Sequence, residues 1–226
     1  MFTTTFPTAD EVNQAMGRVY GYMGLAVLVS MLVASFVGSD PVLVQYFFTG
    51  ITKWIVMFAP IAAVFIIVPA IASEPPKPVA LMILAGFAAI MGLSMAVFFA
   101  VYTTASIVSA FMGGAVLFGV MSIYGYFTRT DLSHVGQMAT VALIAIIIAS
   151  IINIFIGSTL MQMIISAIAI VIFLALTAYD TQTIREMVSN GESSTSVEVL
   201  GALTLYLDFI NLFINLLSIF GIKNDD

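Results

Sequence analysis

The sequence contains no cysteine, which excludes disulfides, thiolate metal sites and thiol redox chemistry. Charge is almost as scarce: Asp, Glu, Lys and Arg make up only 8% of the 226 residues, against about 25% in soluble domains. With 62% of the chain hydrophobic, the composition is that of an integral membrane protein. The six basic residues, Arg18, Lys53, Lys77, Arg129, Arg185 and Lys223, are scattered. No basic patch is left to follow a nucleic acid backbone. The one histidine, His134, falls in a polar loop and reads as solvated, which removes a rhomboid-like Ser/His dyad. The net charge of −6 comes partly from the termini and the 186–198 region and reads as solvated acid. The first 18 residues are polar and no small-residue cleavage site follows, so the first apolar run is expected to be a retained helix rather than a signal peptide. The 14 Met and 18 Phe read as packing material, and no cofactor is expected.

What is present is a set of long apolar runs. A spanning helix needs about 20 apolar residues. Two runs, Val79 to Thr128 and Val135 to Tyr179, carry no charge and are too long for one span each. They divide at Tyr102–Ser106 and at Gly157-Ser-Thr159. The whole chain then predicts seven transmembrane helices in a single all-α domain, residues 1–226. Their approximate ranges are 19–38, 54–73, 79–101, 105–127, 135–156, 160–188 and 197–221. Small residues that permit close helix approach mark the first span (Gly17, Gly21, Gly24) and the fourth (Ser109, Gly113, Gly114, Gly119). Lys53 and Trp54 read as interface anchors, and Pro60 and Pro69 predict bends in the second span. The basic residues orient the chain. With the N-terminus cytoplasmic, Arg18, Lys77, Arg129 and Arg185 lie inside against Lys53 and Lys223 outside, and the C-terminus is outside.

Two acids break the apolar pattern, Asp180 and Asp208. An Asp at the centre of a spanning helix costs roughly 2.5–3.5 kcal/mol on insertion scales, so it is expected to face protein or water. Thr204, Asp208, Asn211, Asn215 and Ser218 recur at helical spacing and form one polar stripe on the last span. Asp180 and Asp208 are equidistant in sequence from Ser194, in the loop joining the last two spans. If the helical periodicity continues through Thr181–Val188, both lie roughly 13–18 Å from that loop and meet at one depth. Thr177, one turn before Asp180, joins Thr204, Asn211, Asn215 and Ser218 as a pore-lining or supporting candidate. Two carboxylates in contact share a proton. Protonated, the pair ties helix to helix by a hydrogen bond; doubly ionised, it repels and offers oxygens suited to a hard cation such as calcium. That is a proton-controlled latch with a polar route below it. Plainer readings stand beside it. Asp180 could mark the interfacial end of its helix, Asp208 could be satisfied by Thr204, Asn211 or the backbone, and Asn211 and Asn215 could be interhelical glue. Arg129 with Asp131 and Arg185 with Glu186 read first as interface residues.

Three stretches resemble the transmembrane Bax-inhibitor-motif family. They are Thr128-Arg-Thr-Asp131-Leu-Ser133 with Gly136, Ala178-Tyr-Asp180-Thr-Gln182, and Leu205-Tyr-Leu-Asp208-Phe-Ile-Asn211-Leu-Phe-Ile-Asn215-Leu-Leu. The resemblance implies two three-helix layers around a central C-terminal helix. It also implies a pH-sensitive calcium leak with Asp180 and Asp208 as the switching and calcium-contacting pair. Calcium is then the permeant ion and no cofactor is needed. Some bacterial members look instead like modulators of a membrane-bound quality-control protease. Some place a basic side chain near the aspartates from an early helix; here the second span has none, and Lys77 is only a loop candidate.

An intramembrane aspartyl protease would also use two carboxylates sharing a proton. Asp208 is preceded by Leu205-Tyr206-Leu207 rather than by flanking glycines, and no Pro-Ala-Leu stretch follows. A retinal protein needs a lysine inside the last span, and Lys223 lies at its end. The expectation is therefore a non-enzymatic calcium leak of the bacterial inner membrane, acting on calcium ions and protons in the lipid bilayer. The rival is a non-conducting module that binds a membrane protease through its small-residue faces.

Overall fold

The computed structural model describes residues 7–224. Every regular element among them is helical: α1 (Ala9–Gly38), α2 (Pro41–Phe48), α3 (Thr52–Ala72), α4 (Lys77–Val101), α5 (Thr104–Phe127), α6 (Ser133–Ile156), α7 (Thr159–Ser189) and α8 (Thr195–Phe220). All but α2 are long and apolar enough to cross a membrane. This is the all-α, seven-span architecture that the apolar runs predict.

The helix ends follow local chemistry. α1 starts ten residues before the apolar run because Thr8 and Glu11 form a capping box, Thr8 Oγ1 accepting from Glu11 N at 3.4 Å and Glu11 Oε2 from Thr8 N at 2.7 Å. Val12, Ala15, Met16 and Val19 then bury one stripe of the added turns. The Ser39-Asp40-Pro41 stop is also a start. Asp40 Oδ1 accepts from Val42 N at 2.8 Å and Pro41 opens α2, an element the sequence reading lacks. Pro60 and Pro69 both lie inside α3, which is assigned as one helix through them. Gly157, at φ +70°, ends α6 in the left-handed conformation that favours glycine. Ser194 Oγ accepts from Val197 N at 3.3 Å and caps α8.

The described residues cluster into two compact units. The first comprises 7–103, 184–206 and 223–224, hence α1 to α4 with the end of α7 and the start of α8. Within it α1 packs on α4, and α3 on α4. The α1–α4 crossing is close because Gly92 has no side chain: a Cβ there would lie 2.5 Å from Ser30 O. Ser30 Oγ lies 2.8 Å from Ala88 O and 3.0 Å from Ala26 O, so its proton goes to the backbone. The Tyr206 hydroxyl, 2.6 Å away, is therefore the donor to Ser30. Arg18 of α1 meets Glu198 of α8 at 2.6 Å, with a second bond from Nε at 2.9 Å. Glu198 is thus not solvated acid; only 5% of it is exposed. Lys77 Nζ lies 5.4 Å from the Tyr22 ring centroid, and Lys53 Nζ 5.1 Å from that of Trp54.

The second unit comprises 104–183 and 207–222, hence α5, α6, most of α7 and the C-terminal part of α8. Phe111 and Phe118 of α5 pack edge to face on Phe209 of α8, and Phe111 also meets Phe213. α8 is the most enclosed spanning helix, with 56% of its apolar window buried, against 11–33% for the other six. A polar stripe on the closing helix is tolerable for that reason.

The glycine expectation needs correction. A Cβ at Gly17, Gly21, Gly24 or Gly119 would meet nothing within 4 Å among the described residues, so no described neighbour approaches them closely. Gly114 does face α8, at 3.7 Å from Phe213 Cα. The tight contacts belong instead to Gly38, Gly92, Gly125 and Gly136, where a partner backbone, side chain or ring occupies the space of a Cβ.

Candidate functional site: an aspartate pair within the spanning helices

α7 runs unbroken through Thr181–Val188 to Ser189, so Asp180 projects from a continuous helix. In the second unit the carboxyl groups of Asp180 and Asp208 lie close enough to interact. Asp208 is buried at 4% exposure, and its Oδ2 has no hydrogen-bond partner; Asp180 is half-buried. A carboxyl–carboxyl hydrogen bond requires a proton between the two groups, since two carboxylates have only acceptors to offer. Such a bond can form only while the pair is singly ionised or neutral, and a second ionisation breaks it. Among the described residues no group of three or more His, Cys, Asp or Glu side chains could hold a metal ion.

The turn that carries Asp180 is clamped on both sides. A Cβ at Gly125 of α5 would lie 2.1 Å from Ala178 O, and one at Gly136 of α6 would lie 2.4 Å from the Tyr179 ring. Thr181 Oγ1 donates to Ser122 Oγ at 3.4 Å. Gln182 reads the backbone of the preceding loop twice, its Oε1 accepting from Leu132 N and its Nε2 donating to Thr130 O, both at 2.9 Å. These contacts give physical content to Gly136 and to Ala178-Tyr-Asp180-Thr-Gln182: they fix the height and rotation of Asp180 against α5 and α6. In the same loop Asp131 Oδ1 accepts from Ser133 N at 2.8 Å. Hydrogen bonds from the Ser133 hydroxyl and N–H hold the exposed Asp131 carboxyl below its usual range. His134 is exposed, but it lies in the first turn of α6 and not in the preceding loop.

The remaining stripe residues divide. Asn211 Nδ2 donates to Leu207 O and Asn215 Nδ2 to Asn211 O, each at 2.8 Å, and both side chains are half-buried. Ser218 accepts from Ser166 of α7 at 3.2 Å. Thr204 is exposed. Thr177 is fully buried with its hydroxyl turned back to Phe173 O at 2.7 Å, which makes it a packing residue and not a lining one. The sequence reading passed over Ser150, Asn153 and Gln162, polar residues inside the uncharged run that forms α6 and α7. Their signal, an isolated amide or hydroxyl in an apolar span, is the same one that marks Asn211 and Asn215.

The family profile described as "Inhibitor of apoptosis-promoting Bax1" matches residues 12–225. The chain is 37% identical over 228 residues to inner membrane protein YbhL of Escherichia coli K12, covering 96% of this chain and 97% of that one. It is 34% identical to an uncharacterized protein of Rickettsia prowazekii, covering 99% and 96% of the two chains. An uncharacterized protein of Deinococcus radiodurans is also 34% identical, over 94% of this chain and 92% of its own.

Proposed function

The chain belongs to the Bax inhibitor family, and from that premise we propose that it is a calcium leak of the bacterial inner membrane, switched by proton exchange at Asp180 and Asp208. The inner-membrane placement rests on the seven apolar spans together with the similarity to YbhL. The N-terminus lies in the cytoplasm and the C-terminus outside, by the distribution of the six basic residues.

The observation that carries the reading is the close approach of two aspartates on separate spanning helices. With its proton the pair fastens α7 to α8 in the second unit. Without it, two like charges in a low dielectric repel, and four carboxylate oxygens become available to a hard cation. Proton binding and cation binding therefore compete for the same oxygens, and one chemical group serves as both latch and selectivity element. No nucleophile, general acid or cofactor is needed, and the protein acts on calcium ions and protons.

The test is calcium influx into proteoliposomes at several pH values, for the wild type and for Asp208→Asn. Influx should depend on pH in the wild type and become insensitive to pH in the variant, because with one amide the doubly ionised, repelling pair can no longer form. A wild type that admits no calcium at any pH removes the reading.

A second reading, a non-conducting modulator of a membrane-bound protease, is favoured by one observation. Gly17, Gly21 and Gly24 lie exposed along α1, and among the described residues nothing comes within 4 Å of a Cβ built at any of them. Such a face suits close docking of a partner helix. Asp180→Asn combined with Asp208→Asn would leave this activity intact while removing the pH response, which separates the two readings.

A further inference from the structure

Between Arg18 and Glu74 the chain carries only two charges, Asp40 and Lys53, and they flank the one segment that joins spanning helices α1 and α3. That segment is α2 with the turn into α3. The eight residues of α2 extend about 12 Å and cannot cross a hydrocarbon core of about 30 Å. α2 therefore lies at the membrane face opposite the N-terminus. It divides lengthwise. Leu43, Val44, Phe47 and Phe48 are half-buried in a helix that packs on α1, α3 and α4, while Val42, Gln45 and Tyr46 are exposed. Exposed apolar surface continues past the helix at Ile51 and Trp54, 76% and 47% exposed. The turn is built for a place with little water. The Thr49 hydroxyl donates to Gln45 O at 2.5 Å, and the Thr52 hydroxyl lies 2.6 Å from Thr49 O and 2.8 Å from Tyr46 O. The last carbonyls of a helix lack intrahelical partners, and here side chains serve them, as surroundings poor in water demand.

A helix this short is marginal in water, and an outward face of Val42, Gln45 and Tyr46 matches neither bulk water nor acyl chains alone. Tyr and Trp settle at headgroup level, where an apolar ring and a polar tip are both accommodated. Lys53 is exposed, with its Nζ 5.1 Å from the Trp54 ring centroid. Asp40 does not neutralise it from within α2: its Oδ1 accepts from Val42 N and Leu43 N as the cap of that helix. A cation thus stands beside an aromatic anchor where a lipid phosphate would lie. We infer that α2 and the first turn of α3 form a lipid-binding surface. α2 rests in the membrane plane at headgroup level, Tyr46 and Trp54 hold that depth, and Lys53 takes the phosphate of an anionic phospholipid. The occupant is the bilayer itself, because the spanning helices on either side hold α2 against it. The inference is independent of both readings of the protein's activity.

The composition makes the test clean: the chain has no cysteine, and Trp54 is its single tryptophan. The full-length protein is placed in phosphatidylcholine nanodiscs with a nitroxide at Val42→Cys or Gln45→Cys. Collisions with oxygen, which concentrates among acyl chains, are compared with collisions with a water-soluble nickel chelate. Ser193→Cys in an exposed polar loop is the water control, and Val116→Cys, 61% exposed in the middle of α5, is the acyl control. At both α2 sites the oxygen-to-nickel ratio should fall between the controls, several-fold from each. A ratio equal to that of Ser193→Cys puts α2 in water and overturns the inference. One equal to that of Val116→Cys puts it among acyl chains and overturns the headgroup placement. Few collisions with either reagent mean that protein covers the face, which overturns lipid as the occupant. Lys53 is tested by quenching of Trp54 with acyl-brominated lipids at one fixed minor fraction. A lysine near an anionic surface favours it about fivefold, so brominated phosphatidylglycerol should quench at least about twofold more than brominated phosphatidylcholine. Lys53→Gln should make the two equal. Equal quenching in the wild type overturns the anionic-lipid assignment.

Discussion

Gly125→Ala should cost about 3 kcal/mol of stability, at the upper end for over-packing. The added methyl carbon would lie 2.1 Å from Ala178 O, 2.8 Å from its carbonyl carbon and 2.9 Å from its Cα. All three are backbone atoms of α7, so no side-chain rotation relieves the clash, and α5 must move off α7 as a body. Ala178 stands two residues before Asp180, and the displacement should therefore reach the aspartate pair. Gly119→Ala is the internal control. Its Cβ meets nothing within 4 Å, and removing a helical glycine gains at most about 1 kcal/mol. Thermal unfolding in detergent, followed by loss of monodisperse protein, should separate the two variants clearly. Equal melting would mean that α5 and α7 do not cross backbone to backbone.

Arg18→Ala should have the next largest effect, a loss of about 2 kcal/mol. Glu198 is buried and takes bonds of 2.6, 2.9 and 3.0 Å from one guanidinium. Removing the cation leaves a buried acid unmatched, which costs about 3–5 kcal/mol for a fully enclosed pair. Arg18 keeps 40% of its side chain exposed, so solvent screening lowers the figure. Glu198→Gln should cost less than about 1 kcal/mol, because an amide oxygen still accepts from the guanidinium. Chemical denaturation of both variants and of the double variant gives the coupling energy. A coupling near zero would mean that the bridge does not fasten α1 to α8.

How much of this was legible in sequence depended on whether the signal was local. The seven spans follow from apolar runs and charge gaps, and the aspartate pair from symmetric spacing about Ser194 on two antiparallel neighbours. The start of α1 was written in Thr8-Ala-Asp-Glu11, but the reading began where the apolar run does and missed the cap. α2 was hidden because Asp40-Pro41, read as a stop, is also the start of a helix. Glycines were legible as small but not as to which of them has a neighbour: Gly17, Gly21 and Gly24 sit at helical spacing with nothing opposite, while Gly125 drew no notice. Facing is a property of the packed pair. The Arg18–Glu198 bridge joins residues 180 positions apart, and no local pattern distinguishes Glu198 from the solvated acids before it. Thr177 and Thr204 look alike in a helical projection, yet one is buried with its hydroxyl on its own backbone and the other is exposed.

The central claim is that Asp180 and Asp208 act as one titrating unit, and the most direct test compares four proteins. These are the wild type, Asp180→Asn, Asp208→Asn and the double variant, each assayed for calcium influx into proteoliposomes across pH. A shared proton belongs to the pair and not to either residue. Each single substitution should therefore abolish the pH dependence completely, and the double variant should add nothing further. If each single variant keeps part of the pH response and only the double variant loses all of it, the aspartates titrate independently and the latch is wrong.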